Sequence, residues 1–143
     1  TFRILFGLLF FYAGVSKLVD PSWTAAGYLK GADTFTEIYK WLASADNIVW
    51  VSFLNKWGLT LIGVSLITGI WARWASISAM LLMLLYYFPI LHFPYVGTNA
   101  YIVDDHLIYI AGLLVLIVFN ADKVGDINFL IKSFDKKNRK KSD

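Results

Sequence analysis

Trp74-Ala-Ser-Ile-Ser-Ala-Met-Leu-Leu-Met-Leu-Leu-Tyr-Tyr-Phe-Pro-Ile-Leu91 contains no charged residue. Crossing a hydrocarbon layer about 30 Å thick takes about 20 residues of helix. The stretch therefore reads as a membrane helix, kinked or ended by Pro89, which cannot donate a backbone hydrogen bond. Three further apolar runs flank it: Phe2–Leu18, broadly Ile48–Trp71, and Leu107–Phe119. The second has the length of a span and the first is a little short. The last reaches that length only if Val103–His106 and Asn120–Ala121 join the helix. The expected fold is all-α, an integral membrane four-helix bundle. Strands are not expected, because an open sheet edge in lipid leaves backbone groups unsatisfied.

Composition supports a membrane chain. Of the 143 residues, 58% are hydrophobic and 17% aromatic, with a mean hydropathy of +0.60. Soluble domains are about 45–50% apolar. The absence of cysteine rules out disulfides and Cys-ligated zinc or iron–sulfur centres. The net charge of +3 is concentrated late in the chain: Lys123, Lys132, Lys136, Lys137, Arg139, Lys140 and Lys141 all follow residue 120. Such a tail suits anionic cytoplasmic lipid. Nucleic acid is a poor fit, because no folded basic face accompanies it. The expected division is a membrane domain over residues 1–130 and a basic tail over 131–143. Basic residues favour the cytoplasmic side, which puts Arg3, Arg73, the tail and both termini there. The 19–47 and 92–105 segments then face outward.

The 19–47 segment is more than a linker. Asp20-Pro21 resembles an N-cap with proline at the first helical position, so a short helix through Trp23 and Tyr28 is expected. Phe35, Ile38, Tyr39 and Leu42 repeat at helical spacing, with Glu37 and Lys40 on the wet face. This amphipathic segment is expected to lie on the outer surface and close over the bundle. Trp23, Tyr28, Tyr39, Trp41 and Trp50 would join the interfacial aromatic belt. Gly7 and Gly14 on the first helix, and Gly58, Ser65 and Gly69 on the second, mark faces where backbones can approach closely.

Gly7-Leu-Leu-Phe-Phe-Tyr-Ala-Gly-Val-Ser-Lys17, followed by Asp20-Pro21, resembles the opening of the DoxX/DoxD family. Asp104-Asp105-His106-Leu-Ile-Tyr109 resembles its fourth helix. The resemblance extends to about residue 130 and implies a small four-helix membrane protein. DoxD-like members are associated with thiosulfate:quinone oxidoreductase, which passes electrons from thiosulfate to membrane quinone. What the resemblance implies here is a membrane subunit of a quinone-linked oxidoreductase complex, with quinone as its cofactor and other membrane subunits as partners. The alternative is a non-catalytic structural or assembly subunit.

Ionisable groups at the mouth of a membrane helix are functional candidates. His106 can hydrogen-bond a quinone oxygen or shuttle its proton, since imidazole titrates near neutrality. Asp105 is the expected proton acceptor or orienting carboxylate, and Lys17 is expected to pair with Asp104 or Asp105 or to bind an anionic substrate. Trp23, Tyr28, Trp57 and Tyr109 are candidates for holding a flat ring. The plainer alternatives are that Asp104 and His106 cap the fourth helix, that Lys17 snorkels to the interface, and that the aromatics belong to the belt. Lys56, with Asn55, interrupts the second run, so that span is expected to start near Lys56. A metal held by His92, His106, Asp104 and Asp105 is not expected, because no ligand-like spacing supports it. Met80 and Met83 read as packing.

Overall fold

The computed structural model describes residues 2–96 and 100–119. The expectations for the basic tail, including all of 131–143, lie outside them. Long helices form over the apolar runs: α1 (Phe2–Val19), α4 (Ala45–Thr68) and α5 (Ala72–Tyr87), the last continued by a 3-10 turn over Phe88–Ile90. These three are long and apolar enough to cross a membrane. A shorter apolar helix, α6 (Asp105–Val118), packs beside α5. Between α1 and α4 lie two short helices, α2 (Ala26–Lys30) and α3 (Thr36–Leu42).

Small residues set the spacing of α1 against α4. A Cβ on Gly7 would stand 2.7 Å from Ile67 Cγ1, and one on Gly14 would stand 2.5 Å from the Thr60 nitrogen. Gly63 answers from α4, where an added Cβ would meet the Phe11 backbone at 2.5 Å from Cα. With lipid outside, association depends on such close packing. Gly58, expected on this face, points into open space, and Gly63 takes its place. Gly69 ends α4 at φ 85°, a left-handed C-cap that suits glycine. It also makes room for Arg3, which is buried at this end of the bundle. The core behind these contacts is apolar, centred on Phe10, Leu59, Leu66, Ala79, Met83 and Leu113.

Several sequence expectations change. The second helix begins at Ala45, well before Lys56, whose ammonium lies over the Trp23 ring, 5.5 Å from the centroid. Asp20 does not cap a helix. Its Oδ1 accepts from the Ser22 backbone N–H at 2.9 Å and the Ser22 hydroxyl at 2.6 Å, closing a local turn instead. The short helix therefore begins only at Ala26, beyond Trp23. On α3 the expected stripe is incomplete: Tyr39 is buried, but Phe35 and Ile38 are exposed.

Strands also form, against expectation. Leu91–His92, Tyr95–Val96 and Ala100–Tyr101 make a three-stranded antiparallel sheet, with Leu91 opposite Val96 and Tyr95 opposite Tyr101. The ban on open edges applies only within hydrocarbon, and this sheet lies beyond the end of α5. Pro89 acts as expected, because α5 stops two residues before it.

Candidate functional site

The ends of α1 and α5 and the starts of α4 and α6 meet at one end of the bundle, under the α2–α3 cover. A cavity of about 650 Å³ opens there, with mostly apolar walls. The cover contributes Trp23, Tyr28, Leu29, Tyr39 and Leu42; α4 and α5 contribute Trp50, Leu54, Leu82 and Leu85. Its polar members are few: Lys17, Asn55, Tyr86 and His106 carry most of the hydrogen-bonding capacity. Small-molecule sites of about 300–1,000 Å³ commonly show this mixture of apolar wall and sparse polar groups.

Lys17 sits one turn beyond Gly14, so the glycine's close approach to α4 brings the ammonium to that helix. Nζ donates to Asn55 Oδ1 at 3.2 Å and to the Tyr86 hydroxyl at 3.0 Å. The Tyr86 hydroxyl in turn donates to Asn55 Oδ1 at 2.6 Å. Because lysine has no acceptor, the amide oxygen of Asn55 must face it, which turns Nδ2 away. Nζ also lies 4.8 Å from the Trp23 ring centroid and 5.1 Å from that of Tyr86, within cation–π range.

The expected Lys17–carboxylate pair does not form. Ion pairs among the described residues are Glu37–Lys40, Asp33–His92 and Asp104–His106. Asp104 is engaged by its own helix: Oδ1 accepts from the His106 and Leu107 backbone N–H groups at 3.1 and 3.2 Å, an N-cap for α6. Its Oδ2 stands 2.5 Å from His106 Nδ1. The ring's carboxylate partner is thus Asp104, not Asp105, which is exposed at the first position of α6. Adjacent residues diverge on a helix, whereas an N-cap side chain folds back over the first turn. Asp104 fixes the proton of the neutral ring on Nδ1, leaving Nε2 as an acceptor. The His106 ring meets the Tyr86 ring edge-on at 6.0 Å.

Other candidates separate. Tyr109 does not line the cavity; one turn beyond His106, it packs edge-on against Phe6 at 6.1 Å. Trp57 faces away and lies beside Phe53. His92 pairs with Asp33 at 2.6 Å, apart from His106. Among the described residues no three His, Asp or Glu side chains are grouped to hold a metal ion.

Two tyrosines fasten the cover. Pro89 lacks the N–H that would bond the Leu85 carbonyl in a continuing helix. The Tyr39 hydroxyl donates to that carbonyl at 3.1 Å, and the Tyr28 hydroxyl donates to the Tyr86 carbonyl at 2.5 Å. Burial pushes both phenols above the usual tyrosine range; for Tyr28, neighbouring Tyr86, Asp104 and Tyr39 add to it. Both therefore remain hydrogen-bond donors at neutral pH.

Asn55 and Tyr86 were not singled out from sequence as site residues. Their signals are plain in hindsight: an amide inside an apolar run, and a phenol at the close of a charge-free one.

The DoxX family model matches residues 1–92. The chain belongs to the DoxX family. The matched stretch holds Lys17, the cover, Asn55 and Tyr86, and ends before Asp104 and His106. No curated protein matches the chain, and no solved structure does. Family membership and the apolar helices make it a membrane protein.

Proposed function

We propose that this DoxX-family chain is the membrane subunit of a quinone-linked oxidoreductase complex and that the covered cavity receives the quinone headgroup. The observation carrying this reading is the Lys17–Asn55–Tyr86 hydrogen-bonded cluster, set with His106 in an otherwise apolar, aromatic cavity. A flat ring with polar oxygens on its rim fits such a donor set. Lys17 Nζ would hold one ring oxygen, while Trp23, Tyr28 and Tyr86 would flank the ring. His106 Nε2 would take or return a proton, with Asp104 stabilising the charged imidazole. The bound group would supply two-electron, two-proton redox chemistry, which no side chain here can.

The membrane arrangement belongs to the same reading. Four crossings are supported by the three long helices and by α6, whose 14 residues are apolar throughout apart from the first turn. Arg3 and Arg73 lie at the end opposite the cavity, as a cytoplasmic end requires. Both termini are then cytoplasmic and the cavity faces the other side, where the proton on His106 would be released. Further membrane subunits would supply the electron donor's site.

The test is purification from native membranes, followed by solvent extraction of quinone and identification of partners. Wild-type protein is expected to carry quinone, and His106→Ala or Lys17→Met to lose it while keeping partners. Partners retained with no quinone in either form would instead indicate a structural subunit.

A further inference from the structure

We infer that the cavity selects a flat apolar ring carrying an acidic hydroxyl, bound as its oxyanion against Lys17. The inference rests on the headgroup-pocket reading above and names the chemistry of its ligand.

The argument starts from the company Lys17 keeps. Both of its hydrogen-bond partners, Asn55 Oδ1 and the Tyr86 hydroxyl, are neutral. No carboxylate among the described residues lies within 4.0 Å of it, and Asp104 is already held by His106 and the start of α6. The faces of Trp23 and Tyr86 offset some of the charge but do not neutralise it. A cation lining an apolar cavity is favourable only when paired. Here the described residues supply the geometry of an ion pair and leave out the anion.

Lysine carries three N–H donors, and two are used. The third is left for a ligand oxygen. A neutral carbonyl gains a hydrogen bond there. An oxyanion gains that bond and also neutralises Lys17, so the anionic form binds more tightly. The walls specify the rest of the ligand. Trp23, Tyr28, Leu29 and Leu82 offer apolar surface that a small inorganic oxyanion would leave unused.

The experiment measures binding to the full chain in nanodiscs by tryptophan fluorescence. The probes are 2-hydroxy-1,4-naphthoquinone, ionised at neutral pH, its 2-methoxy ether, and sodium thiosulfate. The hydroxyl compound is expected to bind at least about ten-fold more tightly than the ether, a difference of about 1.4 kcal/mol. Lys17→Met weakens both compounds and removes that preference, bringing their affinities within about three-fold of each other. Asn55→Asp, which supplies the missing carboxylate internally, removes it as well and keeps the test open if Lys17→Met fails to fold. Equal affinity of the two compounds for the wild type, or thiosulfate displacing the hydroxyl compound at equal concentration, overturns the inference while leaving the pocket in place. Failure of both naphthoquinones to bind overturns the pocket reading as well.

Discussion

Lys17 and Asn55, 38 residues apart in sequence, are joined by a 3.2 Å hydrogen bond across the α1–α4 interface. Asn55 is buried and accepts from Tyr86 as well. Asn55→Leu would leave both donors without their acceptor. The expected result is a loss of about 1–3 kcal/mol, read as a lower unfolding temperature in detergent. A variant as stable as wild type would mean that the cluster contributes no structural energy.

The approach of α1 to α4 is what makes that bond possible. Gly14→Ala places a methyl group 2.5 Å from the Thr60 backbone nitrogen, and backbone cannot move aside cheaply. Overpacking of this kind costs about 1–3 kcal/mol. Gly58→Ala meets nothing within 4 Å and improves helix propensity, so it is expected to be neutral or stabilising by up to about 1 kcal/mol. Thermal unfolding of the two variants side by side checks the contrast; reversed signs would show that the helices are not seated this way.

Asp104 has two tasks that substitution can separate. Asp104→Asn keeps an acceptor for the α6 N-cap but loses the charge beside His106. Asp104→Ala loses both, with an added cost of about 1 kcal/mol for the cap. Both variants should lose the acceptor at His106 Nδ1, read by NMR as an upfield shift of that ring proton. An unchanged proton shift in both would remove Asp104 as the partner that orients the ring.

The cover should open in alkali. Tyr28 and Tyr39 both have raised values in the folded protein, so the folded state holds their protons more tightly than the unfolded chain does. That stabilisation is complete below the ordinary tyrosine value of about 10 and is lost as pH climbs through the higher folded values. Tyrosinate absorbance should show a late-ionising fraction, accompanied by a change in tryptophan emission as Trp23 leaves Lys17. The fraction should shrink in the Tyr28→Phe/Tyr39→Phe double variant, and the change in tryptophan emission at that pH should disappear. Ionisation of both phenols together with the exposed tyrosines would refute the proposed fastening.

The long helices were legible because charge-free runs such as Trp74–Leu91 leave few alternatives, and Pro89 marks an end by its chemistry alone. Lys17 and His106 were legible as polar groups out of place at helix ends. Their partners were not. Whether Lys17 meets Asp104 or Asn55 depends on the rotation of α4, and that rotation follows from Gly63, which looks no different from Gly58 in the sequence. Asp104 and Asp105 are equivalent by composition; only the N-cap geometry assigns one to the imidazole and turns the other to the outside. Tyr109 shares a helical face with His106, yet one turn of rise carries it from the cavity into the core beside Phe6.

The central claim is that the covered cavity receives a quinone headgroup, and photolabelling tests it most directly. Full-length protein in native membranes is irradiated with an azido-quinone and its labelled peptides are identified by mass spectrometry. The account predicts adducts on the Trp23–Leu29 segment and around Tyr86, suppressed by excess unlabelled quinone and reduced in Lys17→Met. Labelling scattered over the lipid-facing surfaces of the helices, or unaffected by competing quinone, would contradict it.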